Sequence, residues 1–424
     1  MRIAIVGSGI AGNVVAQRLH AAHEIVVFEA AGRVGGHSHT HTVHAGGREY
    51  AVDTGFIVYN ERTYPRFTRL LAELGVATRP TVMSFSVQCE RSGLEYNGTD
   101  IDGLFAQRRN LLRPRFWRML ADVVRFNRDA RRWLASGDAT ATLAQYLAGF
   151  GPSREFVEQY LRPMAAAIWS ADPRRIDDFP ARALLGFFAN HGLLDVADRP
   201  RWRTVAGGSA RYVERLTAPF ADRIRLDAPV VRVRRMADAV EIGVRGCEPE
   251  RFDCAFLACH SDQALAMLAD PSPAESQVLG AIAYQDNDAW LHTDKHALPR
   301  NPRAHAAWNY YLPAAESDRA TVTYDMNRLQ GLDAPETFCV TLNGAGRVDP
   351  ARVLARMSYA HPVFDAAALA AQRRRPELHR ARTFYCGAWW GNGFHEDAVA
   401  SAHAALDDFA RIHSHAQLPL RRTG

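Results

Sequence analysis

The chain opens on Arg2-Ile-Ala-Ile-Val-Gly7-Ser-Gly9-Ile10-Ala11-Gly12, a run that leaves few choices for what its first thirty residues can build. The apolar residues Ile3 to Val6 read as a buried strand, and the small residues after Gly9 read as a helix. Such a strand must end in a turn tight enough to need Gly7. Gly9 removes the Cβ that would hold a pyrophosphate off the backbone, and Gly12 lets the helix pack closely on the sheet. The helix start at Ile10 and Ala11 then aims unpaired N–H groups and a partial positive charge at the phosphates. A second strand, Glu24 to Phe28, is followed by Glu29, an acid at the distance expected for a carboxylate that grips both ribose hydroxyls. That carboxylate would repel a 2′-phosphate, which disfavours NADP.

The residues after Glu29 separate two kinds of dinucleotide. The stretch Ala30-Ala-Gly32-Arg33-Val-Gly35-Gly36-His37 brings a cation and further flexible glycines beside the same phosphates, where a plain nicotinamide domain needs neither. Arg33 can chelate a phosphate oxygen, and Gly35 and Gly36 offer backbone donors with no side chain in the way. On these residues the chain resembles the flavin-containing amine oxidase and phytoene desaturase superfamily, and the resemblance implies FAD. It continues at Asp53-Thr-Gly55-Phe56, similar to the turn that brings backbone beside the isoalloxazine. It returns in Thr383-Phe-Tyr-Cys386-Gly387-Ala388-Trp389-Trp390-Gly-Asn-Gly393-Phe394-His395-Glu396-Asp397-Ala398. There a strand, a glycine turn and a helix start recur, so that a second helix dipole faces the flavin ring.

In the superfamily the closing strand leads to an acid that binds the ribityl chain or the pyrophosphate. Ala388 stands in that place here, and Glu396 or Asp397 is expected to take over the contact unless it is lost. This departure draws the likeness toward a bacterial subgroup of predicted NAD/FAD-binding proteins. So do Val205-Ala-Gly207-Gly208-Ser209, Leu291-His292-Thr-Asp294, Trp308-Asn-Tyr310, Met326-Asn327-Arg-Leu-Gln330 and Tyr359-Ala-His361-Pro362. The implied fold class is α/β: a FAD-binding Rossmann-like (GR2-type) domain with an interleaved α+β substrate domain. Residues 1–58, 204–283 (a second βαβ-like section) and 380–424 are expected to form the first, and 59–203 with 284–379 the second. The resemblance would lay Val230 and Val231 against the adenine; by pattern alone they are equally valines of an ordinary sheet strand.

At 424 residues and 47% hydrophobic, the chain can bury the cores of two domains. Its formal charge of +5 comes almost wholly from arginine, Lys295 being the only lysine, and this permits an anionic partner without demanding one. No nucleic-acid partner is expected. Six cysteines without CxxC pairing or disulfide-like spacing read as thiols of a reducing compartment. With no leader-like start and no run of about twenty apolar residues, a cytoplasmic location is expected.

Residues 107–126 form a basic amphipathic segment. After Pro114, Phe116, Met119, Leu120, Val123 and Val124 fall on one helical face and Arg115, Arg118 and Arg125 stay polar. This fits a solvated cap-domain helix, and it also makes the segment a candidate for peripheral contact with the membrane's inner face. His37, His39, His41 and His44 are close enough in sequence for strand alternation to put the first three on one face. They read as a hydrogen-bonding row, and no metal is expected.

The first insertion is mostly helical by pattern, and the second carries alternating strands. Aromatics gather there and at Tyr160, Trp169, Phe187, Phe188, Trp389 and Trp390, as core packing or as the wall of an apolar tunnel above the flavin. The resemblance implies an FAD-dependent oxidoreductase moving a hydride from an apolar, fatty-acyl or lipid-like substrate to flavin N5, of desaturase or isomerase type. The alternatives are an amine oxidase that releases peroxide and a non-catalytic flavin-binding partner of a lipid methyltransferase. Cys386 does not match the covalent attachment motif, so FAD is expected to be non-covalent. No catalytic group is identified from the motifs; His292, Asp294, Tyr310, Tyr324, Asn327 and His395 are candidate polar groups of the pocket. Lys295 invites comparison with the lysine that holds a water near N5 in many amine oxidases, but its neighbours read as a surface loop.

Overall fold

A computed structural model describes residues 1–138, 140–195, 199–378 and 382–415; of the expected segment 380–424, residues 380, 381 and 416–424 lie outside these. Three distant stretches of chain build one parallel sheet in the order Ile224–Arg225, Glu24–Phe28, Arg2–Val6, Cys254–Leu257, Thr383–Tyr385. Its strands are covered on both faces, which is why Ile3 to Val6 reads as an unbroken apolar run rather than an alternating one. On one face the helices Ile10–Leu19 and His395–His415 pack through Val14, Val15, Ala402 and Ala405. The other face lies under an antiparallel meander of Val230–Arg235, Val240–Val244 and Glu250–Phe252. Val230–Arg235 is therefore not a parallel strand of the βαβ-like section expected at 204–283.

Both insertions share one seven-stranded sheet, in the order Val353–Val363, Ala283–His292, Cys339–Leu342, Thr321–Asp325, Trp308–Leu312, Phe85–Cys89, Leu94–Asn97. The first insertion supplies the last two as a hairpin, joined in parallel to Trp308–Leu312. Its sequence conceals these strands because they are short and carry buried polar residues. Gln88 donates to Glu95 (3.1 Å), which also receives the amides of Arg300 and Asn301. The helices Pro114–Ser136, Leu143–Phe150, Arg162–Trp169 and Ala181–Asn190 complete this half.

One buried carboxylate ties the halves together. Asp53 accepts from Thr40 Oγ1 (2.6 Å), from Ser209 N (2.9 Å) and Oγ (2.8 Å), and from Gln330 Nε2 (3.0 Å). Ser209 and Gln330, the last residues of the motifs at 205–209 and 326–330, thus meet on a single side chain.

Candidate cofactor and substrate site

The ends of Arg2–Val6, Glu24–Phe28 and Cys254–Leu257, the turn Thr54–Phe56 and the start of His395–His415 surround a cavity of about 960 Å³. Gly7, at φ +103°, turns the chain so that its amide reaches Phe28 O at 2.8 Å, and a Cβ there would stand 2.7 Å from Ala258 O. The helix Ile10–Leu19 has no side-chain cap, and its first residues, Ile10 and Ala11, line the cavity. A Cβ built on Gly9 meets nothing within 4 Å. Bare backbone at an uncapped helix start, open to a cavity, fits a diphosphate. Glu29 stands on the same wall and receives Ser8 N (2.9 Å), Ser8 Oγ (2.7 Å) and Ala31 N (2.9 Å), which fix its orientation. Ala30, Gly35, Gly36, His37, Gly55, Phe56, Val230, Val231, Gly387, Gly393, Phe394 and Ala398 also line the cavity. The register shift between Val230 and Arg232 leaves Val231 out of the ladder with Val240–Val244.

Three imidazoles from distant parts of the chain meet at this wall. The His37 ring lies 6.0 Å from His260, 5.7 Å from His361 and 5.0 Å from the Tyr359 ring. Burial, reinforced by the neighbouring imidazoles, holds His37 well below the usual histidine range, and burial takes His361 down to about 4. His260 is also lowered by burial. The expected row on one strand face forms only in part: His39, just before the strand Thr40–Ala45, and His41 within it meet at 4.1 Å with their planes tilted by 38°, whereas His37 lines the cavity. Among the described residues no group of three or more His, Cys, Asp or Glu could hold a metal ion.

His395 begins the closing helix, lies flat on Phe56 (centroids 3.6 Å, 16°) and places Nε2 3.0 Å from both Ser38 Oγ and Tyr212 OH. Burial lowers it to about 3, so it is a neutral imidazole. The next two residues correct the expectation placed on them. Glu396 receives Phe67 N (3.0 Å) and the Arg66 amide at the start of the helix Pro65–Glu73. Asp397 receives Phe394 N (2.9 Å) beneath the glycine turn. Neither lines the cavity, so neither replaces the acid missing at Ala388, which itself lies on the wall.

Gly12, Gly32 and Arg33 do not line the cavity either: Gly12 is buried against the strand ends, and Gly32 is exposed beside Asp227. The Arg33 guanidinium donates to Gly36 O at 2.8 Å and braces the glycine loop instead of projecting from it. Of the candidate catalytic groups, only Tyr324 and His395 reach the cavity. His292 is buried against Thr341 Oγ1 (2.7 Å), and its Nδ1 receives the Asp294 amide (3.1 Å). Asp294 receives the amides of His296 and Asp349. Tyr310 sits in the core, and Asn327 clasps Glu336 O and the Phe338 amide. Lys295 is exposed on the turn Lys295–Ala297. Cys259 is the cysteine that lines the cavity, pushed up to about 12 by burial; Cys386 is buried behind the wall.

The remaining wall comes from the insertions and is aromatic and aliphatic: Phe85, Tyr96, Tyr160, Met164, Ile168, Trp169, Phe187, Trp202, Trp308, Tyr324 and Phe364 among others. Sequence reading passed over His260, Tyr284, Trp202 and Arg199, none of which sits in a recognisable motif. Among the described lining residues Glu29 is the one acidic side chain and Arg199 the one guanidinium, and burial keeps the five lining imidazoles low.

Comparison with known proteins gives a consistent picture. The family model for flavin containing amine oxidoreductases matches residues 10–305. A Mycobacterium tuberculosis (strain H37Rv) protein named as flavin-containing monoamine oxidase AofH is 28% identical over 249 residues, 57% of this chain and 53% of that one. The chain thus spans about half the length of the curated relatives it matches. Cyclohexylamine oxidase from Brevibacterium oxydans IH-35A superimposes with a TM-score of 0.69 at 17% identity, covering 97% of this chain and 99% of that one. A CLA-producing fatty acid isomerase from P. acnes does so with a TM-score of 0.66 at 17% identity, covering 97% and 98%. These two likenesses show the fold.

Proposed function

This chain belongs to the flavin-containing amine oxidoreductase family, and from that premise we propose that it desaturates or isomerises an apolar, fatty-acyl or lipid-like substrate. Its cofactor is FAD. The observation that carries the substrate reading is the charge content of the insertion-derived wall. Among its described residues Arg199 supplies the one guanidinium, and no acidic side chain stands there. An ammonium group entering there would lose hydration and find no carboxylate among the described lining residues of that wall to pair with it. A methylene chain instead gains about 0.8 kcal/mol per buried CH₂. Arg199 is complementary to an anionic head group.

When bound, FAD supplies the two-electron acceptor. The protein's own part is to hold it and to shape a dry chamber. Glu29, preset by three donors, would hold the ribose hydroxyls, and the bare amides after Gly9 would hold the diphosphate. Phe56 and the neutral His395, braced by Ser38 and Tyr212, form a rigid wall that brings no charge into the chamber. The placement of the cysteines supports non-covalent attachment, the one lining thiol being protonated at neutral pH.

A Glu29→Ala variant is expected to bind FAD about 10- to 100-fold more weakly, the worth of one or two charge-assisted hydrogen bonds. Equilibrium dialysis measures the affinity, and a thermal melt of the apoprotein is expected to stay close to that of the parent. The functional reading is tested by anaerobic titration of the holoenzyme. Unsaturated fatty acids are expected to bleach the flavin or to be recovered with a new or displaced double bond, and amines to leave the flavin oxidised. Amine-driven peroxide release without any response to acyl chains overturns it, and so does a flavin that only dithionite reduces.

A further inference from the structure

The apolar surface of this protein is unevenly distributed. Among the described large hydrophobic side chains that stand in solvent, Ile101, Leu111, Leu112, Trp117 and Val124 fall within one stretch of 24 residues. Leu112 is 88% exposed and Ile101 78%. Arginines at 108, 109, 113, 115 and 118 accompany them, with Asp102 the only acid between residues 101 and 118.

The helix Pro114–Ser136 divides the apolar face that its periodicity suggests. Phe116 and Met119 turn into the core, whereas Trp117 turns outward beside the 3-10 turn Arg108–Leu112 and Val124, two helical turns further on, is also exposed. Trp117 is held there by its indole N–H, which donates to Leu111 O at 2.9 Å. An ordinary solvated face would carry polar residues at these positions. Leucines and a tryptophan ringed by guanidinium groups instead match the interfacial zone of an anionic bilayer, where the ring and chains enter the headgroup boundary and the arginines meet phosphates.

The patch is continuous with the chamber. Tyr96, Gly98 and Thr99 line the cavity, Asp100 caps the short helix Ile101–Leu104 by accepting Gly103 N at 2.7 Å, and Ile101 stands in solvent. A single residue, Asp100, therefore separates the chamber wall from the exposed face. On the neighbouring strand entry Val82, 59% exposed, leads directly into the lining residues Met83, Ser84 and Phe85.

We propose that the face formed by residues 101–118 seats on an anionic lipid bilayer and that the substrate enters the chamber from that bilayer past Gly98 and Thr99. The second half of this rests on the acyl-chain reading; the first does not. The holoenzyme is mixed with phosphatidylcholine vesicles with or without phosphatidylglycerol. It is expected to sediment with the anionic vesicles at low salt and to lose at least about 10-fold in partitioning as salt is raised. The double variant Leu112→Glu/Trp117→Glu is expected to lose about 10-fold or more of that partitioning while keeping its thermal melt and its flavin spectrum. It should turn over acyl substrate dispersed in detergent normally, and substrate embedded in vesicles poorly. Absence of binding to anionic vesicles, or equal binding by both proteins, overturns the proposal. So does self-association that the double variant abolishes, which would make the patch an interface between copies. Since partitioning is read without substrate, a flavin indifferent to acyl chains sinks the functional reading alone and leaves the docking surface standing.

Discussion

Alanine at Gly12 and alanine at Gly9, three residues apart in one turn, are expected to fail in opposite ways. At Gly12 the added Cβ would lie 2.0 Å from Gly7 O and 3.2 Å from Ala258 Cβ, and these neighbours directly follow the strands Arg2–Val6 and Cys254–Leu257 of the sheet that the helix packs on. Neither can withdraw without moving the strand ends, so Gly12→Ala is expected to cost about 3 kcal/mol of folding stability and to yield protein largely free of flavin. At Gly9 the same methyl meets nothing within 4 Å and points into the cavity. Gly9→Ala is expected to leave the unfolding free energy from a urea melt within about 0.5 kcal/mol of the parent and to weaken FAD binding about 10-fold or more, by keeping the diphosphate off the helix start. Denaturant melts and FAD titrations of the two variants separate a packing glycine from a binding one. Equal stability losses in both would contradict the assignment of Gly9 to the cofactor.

How far the sequence could be read depends on the range of the interactions involved. Gly7, Gly9, Glu29, Gly35, Gly36 and Gly55 belong to local strand–turn patterns, and local pattern carries them to one wall without knowledge of the rest of the fold. Residues whose partners lie far along the chain were not legible in this way. Glu396 is adjacent to the right motif, yet its carboxylate is taken by amides 329 and 330 positions away, at the start of another helix. His292 looks like a pocket group in sequence because nothing in it tells how deep its strand end lies or that Thr341 waits on the neighbouring strand. The imidazole cluster has the same character: His37, His260 and His361 come from a loop, a helix cap and a sheet strand, and only the docking of the two halves brings them together. The hairpin Phe85–Cys89 and Leu94–Asn97 escaped for a local reason, since Gln88 and Glu95 break the apolar pattern by satisfying each other in the interior.

Asp53 is the long-range contact with the largest expected consequence. All of its named partners are donors, and they come from the strand Thr40–Ala45, the turn before Ala210–Thr217 and the helix Met326–Gln330. Removing the carboxylate in Asp53→Ala strands Ser209 N in the interior and takes from Thr40 Oγ1 the acceptor of its proton, and is expected to cost about 3 to 5 kcal/mol in a urea melt at neutral pH. The pH dependence supplies a second, independent reading. Burial, partly offset by the donors, raises this carboxyl to about 6, against about 3.9 in an unfolded chain. Between those values the native state holds the proton and the unfolded chain does not. The contribution of Asp53 is therefore fully present below about pH 4 and declines as the pH rises through 6, by up to about 3 kcal/mol. Asp397, raised to about 6 by burial, adds a slope of the same sign, so only the difference between the parent and Asp53→Ala isolates one group. The parent is expected to lose stability more steeply than the variant between pH 4 and 6. Parallel pH profiles would mean that Asp53 is ionised throughout and that its donors outweigh its burial.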